Sequence, residues 1–266
     1  EIEINEDRPE VSWEAQKCCH ICFIGMDPEN LTQPFWHRSK YLFGNAPKYR
    51  DQVKFDESEP DYERSYSGEA ISEIMETARE KGFFVTYNHP AWSREDYRDY
   101  ISYNGMHAME IMNGGCMNEG FEDYNPRVYD DMLSAGKRIY CIGADDNHNV
   151  RPETSRRSDS GIAFTMVKAD SLDYRAVTEA LAAGNFYASE GPKITELWLE
   201  DGRVYLKCSP ADRVICTYQV RKAGVALHAD GSPVTEASFE VGPEFGYFRI
   251  TVIDGAGRHA CSNAYF

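Results

Sequence analysis

Long apolar runs are missing from this sequence of 266 residues. Because no run of about 18 apolar residues occurs, the sequence predicts no membrane span. The first ten residues, EIEINEDRPE, are acidic and contain no apolar core of a signal peptide. We therefore expect a cytoplasmic chain without a membrane partner.

Basic residues are also scarce. Lys and Arg total 28 against 44 Asp and Glu, so the formal net charge is −16. A nucleic-acid polymer or an anionic membrane would require a cationic surface, and the composition excludes both as expected partners. A small anionic substrate in a local basic pocket remains compatible with this charge. Hydrophobic residues make up 42% of the chain, which is enough for a packed core.

Eight cysteines are present, mostly in apolar, strand-like runs. This placement is typical of small buried hydrophobic residues in a reducing compartment. Cys19 and Cys22 form a CxxC pair, but no second thiol pair lies nearby with the spacing of a zinc site. A structural or redox role for this pair is therefore not favoured.

Helical and strand patterns alternate between residues 67 and 190, with short connections. Helices are predicted near 67–82, 93–103, 125–136 and 173–184, and strands near 83–90, 106–115, 138–144 and 161–169. This alternation predicts a mainly parallel sheet or barrel with outer helices. Ligands of such folds gather at the carboxyl ends of the strands. His89, Asn113, Asp146 and His148 lie at such ends, and this is the strongest functional signal in the pattern.

The C-terminal part of the chain has a different pattern. Short strands separated by Gly and Asp turns run from 193 to 266, and they predict a small antiparallel domain of sandwich type. The sequence thus predicts an α/β domain over 1–191, with an irregular insertion at 28–66, and a β domain over 192–266.

Histidine and carboxylate residues suggest a metal site. His20 lies inside a predicted strand, His89 at a strand end, and His148 two residues after Asp146. Imidazole and carboxylate together suit Zn, Mn or Fe. Residues two apart on a strand share a face, so Glu1 and Glu3 point the same way. That face is either solvated or directed into the barrel, where a carboxylate could bridge two metals.

Basic residues near the predicted site suggest a grip for phosphate. Residues 35–50 include Arg38 and Lys40 without any acid, and Arg156 and Arg157 follow the Asp146–His148 turn. Arginine binds phosphate oxygens in a bidentate manner. The alternative is that these are ordinary solvated bases on loops.

Five segments occur in an order and spacing that resemble the PHP (polymerase and histidinol phosphatase) family of metal-dependent phosphoesterases. The segments are EIEI (1–4), CCHICFIGMD (18–27), YNHPAW (87–92), EIMNG (110–114) and GADDNHN (143–149). The stretch 161–194 and the tail Cys261-Ser262-Asn263 extend the similarity over nearly the whole chain. The resemblance implies a distorted β/α barrel, similar to a TIM barrel, with a small C-terminal antiparallel β domain.

The resemblance also implies a metal-bound hydrolytic site. One metal would be held by Glu1 or Glu3 with His20 and His89, while Asp146 would bind a second metal and His148 a third. The expected function is hydrolysis of a small phosphate ester, such as a nucleotide, by a metal-activated hydroxide. Asp146, His148, Arg156 and Arg157 would be catalytic. The residues expected to bind substrate are Asn113, Arg38 and Lys40, beneath a lid formed by the 28–66 insertion.

The sequence departs from the family pattern in one respect, because no His-x-His occurs anywhere. The family begins with a strand that carries this motif, so the chain resembles a PHP protein without its first quarter. We therefore expect an incomplete barrel, one metal ion rather than two or three, and weak activity at most. A partner chain, missing residues or self-pairing in a homo-oligomer would cover the exposed barrel edges.

Two other functions stay open. The first is a catalytically degenerate binding or regulatory protein on the same scaffold, which the missing His-x-His favours. The second is a metal-dependent amidohydrolase on a β/α barrel. That chemistry usually needs a lysine or an activated carboxylate as a bridge, and the sequence offers no obvious candidate for it.

Overall fold

The protein is a mixed α/β structure with several sheets in the computed structural model, which describes residues 1–42, 44 and 46–266. Phe43 and Asn45, within the basic stretch 35–50, lie outside the described residues. The strands are β1 (Ile2–Asn5), β2 (Cys18–Gly25), β3 (Phe83–Asn88), β4 (Ala108–Asn113), β5 (Tyr140–Ala144), β6 (Phe164–Val167), β7 (Phe186–Ser189), β8 (Ile194–Glu200), β9 (Arg203–Ala211), β10 (Arg213–Tyr218), β11 (Ala223–Ala226), β12 (Val234–Glu240), β13 (Phe248–Ile253) and β14 (His259–Ser262).

The helices are short, and most of them lie in the first two thirds of the chain. They are α1 (Ala46–Tyr49), α2 (Gly68–Glu80), α3 (Tyr97–Tyr100), α4 (Gly114–Glu119), α5 (Pro126–Ser134) and α6 (Tyr174–Ala183), with 3-10 turns at Trp13–Ala15, Arg50–Gln52 and Pro243–Phe245. Within the described ranges, no helix combines the length and the apolarity that crossing a membrane requires.

Helices α2, α5 and α6 confirm the sequence pattern. The Ser67 hydroxyl accepts a hydrogen bond from the Ala70 N–H at the start of α2, and Pro126 occupies the first turn of α5. Helix α6 begins after Asp173, which caps it, and ends at Gly184 in the left-handed region. The helix expected over 93–103 is shorter, because only Tyr97–Tyr100 is α-helical.

The first sheet has five strands in the order β1-β2-β3-β4-β5. Strands β3, β4 and β5 are parallel, whereas β1 and β2 pair antiparallel with their neighbours. The described residues do not close this sheet into the expected barrel. At the outer edge of β5, the Thr165 hydroxyl bonds to both the N–H and the C=O of Gly143, so a side chain stands where a next strand would pair. The chain then continues into a separate sheet.

That second sheet is antiparallel and has the order β11-β10-β13-β14-β7-β6, and a third sheet has the order β12-β9-β8. Apolar residues of the two sheets, including Val204, Leu206, Val214 and Ile250, form one buried cluster. This packing places two antiparallel sheets face to face. Strands β6 and β7, which precede residue 191, share this sheet with strands that follow it. The domain boundary at 191/192 stays a prediction.

A larger buried cluster supports the first sheet. Ile2, Ile4, Tyr87 and Met109 lie in it with the apolar face of α2 and the buried side of α5. Burying apolar side chains on one side of β1 to β4 fixes the register of these strands, since a slip by one residue would expose them. The opposite side of the same strands is therefore held in place, and that side carries the polar residues described next.

Candidate metal centre

The pairing of β1, β2 and β3 brings the predicted polar residues onto one face. Glu3 is opposite His20 in the β1–β2 pair, and His20 is opposite Asn88 in the β2–β3 pair. Ile2 and Ile4 point to the core, so the glutamates lie on the other face, as the alternation predicted. His89 follows Asn88 directly and therefore reaches the same place.

Glu1, His20 and His89 form a compact group. One potential ligand atom from each residue lies within 4.8 Å of the other two. The Nδ1 atom of His20 is 2.8 Å from Oε1 of Glu1, and the ring centroids of His20 and His89 are 4.8 Å apart. Two imidazoles and a carboxylate at this separation can hold one divalent cation.

His89 is held firmly by its surroundings. Its ring Nδ1 is 3.2 Å from the Ser93 hydroxyl, and its backbone N–H donates to Oε2 of Glu110 at 3.0 Å. The backbone of His89 has a φ of 28°, which is strained for a residue with a side chain. Nε2 of His89 lies 3.7 Å from Oδ2 of Asp146. The contact with Ser93 orients the ring and leaves Nε2 available to a ligand, as in many metal sites.

The electrostatics of the group suit a cation. The hydrogen bond from His20 lowers the pKa of Glu1 to about 2. Burial and the nearby His20 lower the pKa of His89 below its usual value. At neutral pH the carboxylate is therefore ionised and the His89 imidazole is neutral, which are the protonation states that metal ligands need.

The loop after β5 brings Asp146 and His148 to the same site. The Asp145 carboxylate accepts hydrogen bonds from the N–H groups of Gly161, Ile162 (2.7 Å) and Ala163 (2.9 Å), which ties the loop to the following segment. A Cβ on Gly115 would come within 2.5 Å of the Asp145 carbonyl oxygen, so a glycine is needed where α4 meets the loop.

Asp146 has a φ of 51° and accepts a hydrogen bond from Asn113 at 3.4 Å. His148 is largely exposed, and its Nδ1 is 2.7 Å from the Asp146 carbonyl oxygen. His148 therefore stands beside the group of Glu1, His20 and His89 rather than within it.

A cavity of about 680 Å³ opens over this group. All six predicted metal ligands line it: Glu1, Glu3, His20, His89, Asp146 and His148. Its size is within the range of about 300–1,000 Å³ that is usual for small-molecule sites. The structure therefore brings distant segments of the chain together around one space.

Three buried side-chain atoms lack a hydrogen-bond partner in the part of the chain that the structure describes: Nε2 of His20, Nε of Arg64 and Oδ1 of Asp159. All three residues line the cavity. Buried polar atoms without a partner are rare in native proteins, and each one requires an explanation. For His20 Nε2 the donor set fits a metal, because imidazole nitrogen and carboxylate oxygen are borderline ligands for Zn, Mn or Fe.

The carboxylate of Glu3 is less available as a metal ligand than that of Glu1. Its Oε1 atom accepts hydrogen bonds from Asn5 at 2.6 Å and from Trp13 at 3.3 Å. Its Oε2 atom lies 3.6 Å from Nε2 of His20. Of the two candidate carboxylates, Glu1 and Glu3, Glu1 is the one that groups with both histidines.

The other predicted residues are distributed unevenly. Arg157 lines the cavity, whereas Arg156 does not belong to its lining among the described residues. Arg38 and Lys40 also lie outside that lining, and they pair with Asp61 and Glu63 on the 28–66 segment. Each of the two makes an ion pair there, and their role in substrate binding stays a prediction.

Asn113 lies beneath the site and has no exposed surface. Its side chain accepts from the Cys116 N–H at 2.9 Å and donates to Glu110 at 2.9 Å. Burial raises the pKa of Glu110 to about 8. Asn113 therefore caps α4 and supports the buried Glu110, and it does not reach the cavity.

The residues of the cavity lining that sequence reasoning missed include Arg64, Trp92 and Asp159. The Trp92 ring lies 5.2 Å from that of His20 and 5.1 Å from that of His89. Its position in YNHPAW, next to the strand-end histidine, is a signal that could have identified it. Arg64 and Asp159 lie in irregular segments without any periodic pattern, and only the tertiary contacts reveal them.

Comparison with known proteins gives limited information. No family model and no curated protein matches the chain. Among solved structures, a two-domain protein from Bacteroides vulgatus ATCC 8482, which contains a predicted PHP-like metal-dependent phosphoesterase, aligns with 16% sequence identity and a TM-score of 0.33. The alignment covers 68% of this chain and 61% of that chain. A TM-score of 0.33 is too low to establish a shared fold.

Proposed function

We propose that the protein is a metal-dependent phosphoesterase acting on a small phosphate ester. The observation that carries the proposal is the convergence of Glu1, His20 and His89 at one cavity, with Nε2 of His20 left without a protein partner. Two imidazoles and an ionised carboxylate are a donor set for Zn, Mn or Fe. A bound divalent cation would supply Lewis acidity toward a phosphoryl oxygen and toward water.

The residues of this chain have separate tasks in that proposal. Glu1, His20 and His89 bind the cation, and Asp146 adds a carboxylate 3.7 Å from Nε2 of His89. Arg157 lies at the same cavity, where its guanidinium can donate hydrogen bonds to phosphate oxygens in a chain whose net charge is −16. Among the described residues, five carboxylates and three arginines line the cavity, so attraction of an anionic substrate would depend on the bound cation together with the arginines.

The first test is metal content combined with phosphatase activity. His20→Ala and His89→Ala should each lower the bound Zn or Mn, measured by elemental analysis, at least tenfold after dialysis against buffer containing the metal. Hydrolysis of p-nitrophenyl phosphate should fall in parallel. His228→Ala is the matched control, because His228 is exposed and lies outside the lining of the cavity, and this variant should keep both properties.

The outcomes separate the proposal from its alternatives. Unchanged metal content in both His20→Ala and His89→Ala would remove the site assignment. Stoichiometric metal that depends on these histidines, without turnover of any phosphate ester, would indicate the binding or regulatory protein instead. The amidohydrolase alternative usually needs a lysine or an activated carboxylate as a bridge, and none of the described residues that line the cavity is a lysine.

A further inference from the structure

The ring of Trp92 contacts both histidines of the candidate metal centre. Trp92 lies in the loop after β3, is half-buried and lines the cavity. Its ring centroid is 5.2 Å from that of His20 and 5.1 Å from that of His89, and the two imidazole centroids are 4.8 Å apart. The plane of Trp92 is inclined by 79° to that of His89 and by 58° to that of His20. Each of the three rings therefore restrains the other two.

The two histidines differ in what else orients them. The Ser93 hydroxyl lies 3.2 Å from Nδ1 of His89 and holds that ring. For His20, the structure describes one side-chain hydrogen bond, 2.8 Å between Nδ1 and Glu1, which is itself a candidate ligand. A histidine that binds a metal normally has a further group that fixes the plane of its ring. At His20, the Trp92 ring is in the position to fix that plane.

Trp92 is held by a buried carboxylate. Its backbone N–H donates to Oδ2 of Asp123 at 2.9 Å, and Asp123 has no exposed surface. The other carboxylate oxygen accepts from the Asn125 side chain at 2.6 Å, and the Asp123 carbonyl oxygen accepts from the Asn113 N–H at 3.0 Å. Burying a carboxylate is costly unless it is hydrogen-bonded, and one of the partners here is the loop that carries Trp92.

The loop between β3 and α3 is closed by its own backbone. The Ser93 N–H donates to the His89 carbonyl oxygen, and the Glu95 N–H donates to the Pro90 carbonyl oxygen, both at 3.1 Å. Trp92 and His89 thus belong to one hydrogen-bonded turn, and the contact with Asp123 restrains both of them.

We propose that Trp92 is a positioning residue of the metal centre and that Asp123 holds it in place. The indole ring fixes the planes of both imidazoles, so that their nitrogens converge on one cation. This inference rests on the proposed function for the presence of a cation. It adds a role for two residues outside the group of Glu1, His20 and His89.

Cobalt(II) is the probe for the Trp92 variants, because its visible d–d absorption reports coordination geometry as well as binding. Trp92→Ala should lower the affinity for Co²⁺ about tenfold or more and change the spectrum, since both imidazoles lose the ring that orients them. Trp92→Phe keeps an aromatic ring and should stay within about threefold of wild type, with the same spectrum. Trp198→Ala is the matched control, because Trp198 is 38% exposed and lies outside the cavity lining among the described residues.

Two variants of Asp123 separate its hydrogen bond from its charge. Asp123→Asn removes the charge but keeps an oxygen that can accept from the Trp92 N–H, so the wild-type spectrum and most of the Co²⁺ affinity should remain. Asp123→Ala removes both and should reproduce the loss seen in Trp92→Ala. An equal loss in the two Asp123 variants would show that the carboxylate acts through its charge, and its role in holding Trp92 would be rejected.

The remaining outcomes separate this inference from the proposed function. Circular dichroism and thermal melting establish that each variant is folded, and Trp92→Leu, which also lacks a ring, replaces Trp92→Ala if that variant does not fold. Wild-type affinity and spectrum in the variant without a ring would overturn the inference and leave the proposed function intact. A Co²⁺ site that depends on Trp92, in a chain that hydrolyses no phosphate ester, would support the inference and reject the phosphoesterase. A wild-type chain that binds no Co²⁺ would overturn both.

Discussion

Glu95 is a carboxyl group buried among three tyrosines. The hydroxyls of Tyr66, Tyr87 and Tyr103 all donate to its oxygens, at 3.1 Å from Tyr66 and 2.6 Å from Tyr87. Burial raises the pKa of Glu95 to about 8, although the tyrosine hydrogen bonds act in the opposite direction. The folded protein therefore binds a proton at Glu95 that the unfolded chain releases at a lower pH.

This shift predicts a pH-dependent stability. The raised pKa contributes stability that is complete below about pH 4.5 and is lost as the pH rises through about 8. Relative to wild type, Glu95→Gln should therefore gain about 2–4 kcal/mol in the free energy of unfolding between these limits. Urea denaturation across this pH range measures the difference. Glu69→Gln, at an exposed position, serves as control. If the free energies of unfolding of wild type and Glu95→Gln changed in parallel with pH, the raised pKa of Glu95 would be contradicted.

Between elements, α5 and β13 are joined by a buried ion pair. Arg249 is 4% exposed, and its Nε and one terminal nitrogen contact the two oxygens of Asp130 at 2.8 Å and 2.7 Å. The Tyr247 hydroxyl donates to the same carboxylate at 3.0 Å. This bidentate contact ties a helix of the first sheet to a strand of the second.

Removing one member of this ion pair should strongly destabilise the fold. Asp130→Ala leaves the Arg249 guanidinium buried without a counter-charge, so we expect a loss of about 3–5 kcal/mol in the free energy of unfolding. Asp212→Ala breaks a half-exposed pair with Arg213 and should cost about 1 kcal/mol or less. Chemical denaturation compares the two variants. Similar losses would show that the Asp130–Arg249 pair does not join the elements as described.

At the scale of the whole molecule, Asn263 near the end of the chain holds the two sheets together. Its side-chain amide donates to the carbonyl oxygens of Gly184 and Phe186, both at 3.0 Å, and accepts from the Cys141 N–H at 2.9 Å. These partners lie after α6, at the start of β7 and within β5. One buried side chain thus satisfies three backbone groups from separate elements.

Truncation of this side chain should weaken the whole fold. Asn263→Ala leaves the three backbone groups without their partner, and we expect a loss of about 3 kcal/mol or more. Asn104→Ala, at an exposed position, should change stability by about 0.5 kcal/mol or less. Thermal unfolding followed by circular dichroism measures both. An Asn263→Ala protein as stable as wild type would contradict this role.

The sequence alone determined the local elements and where their polar residues lie. The apolar spacing and the Ser67 cap predict α2, and the buried run ending at His89 predicts β3. The alternation at residues 1–4 places both glutamates on one face. These features depend on residues close together in the chain, where backbone geometry repeats every two or 3.6 residues. The metal roles of these residues stay predictions.

The tertiary structure alone decided the open sheet, the strand partners and most of the cavity lining. The antiparallel pairing of β1 with β2 and of β6 with β7 depends on segments that are not adjacent in sequence. Arg64 and Asp159 line the cavity from irregular segments, while Arg38 and Lys40 pair with Asp61 and Glu63. Contacts of this kind result from packing and charge pairing across the fold, and no local pattern encodes them.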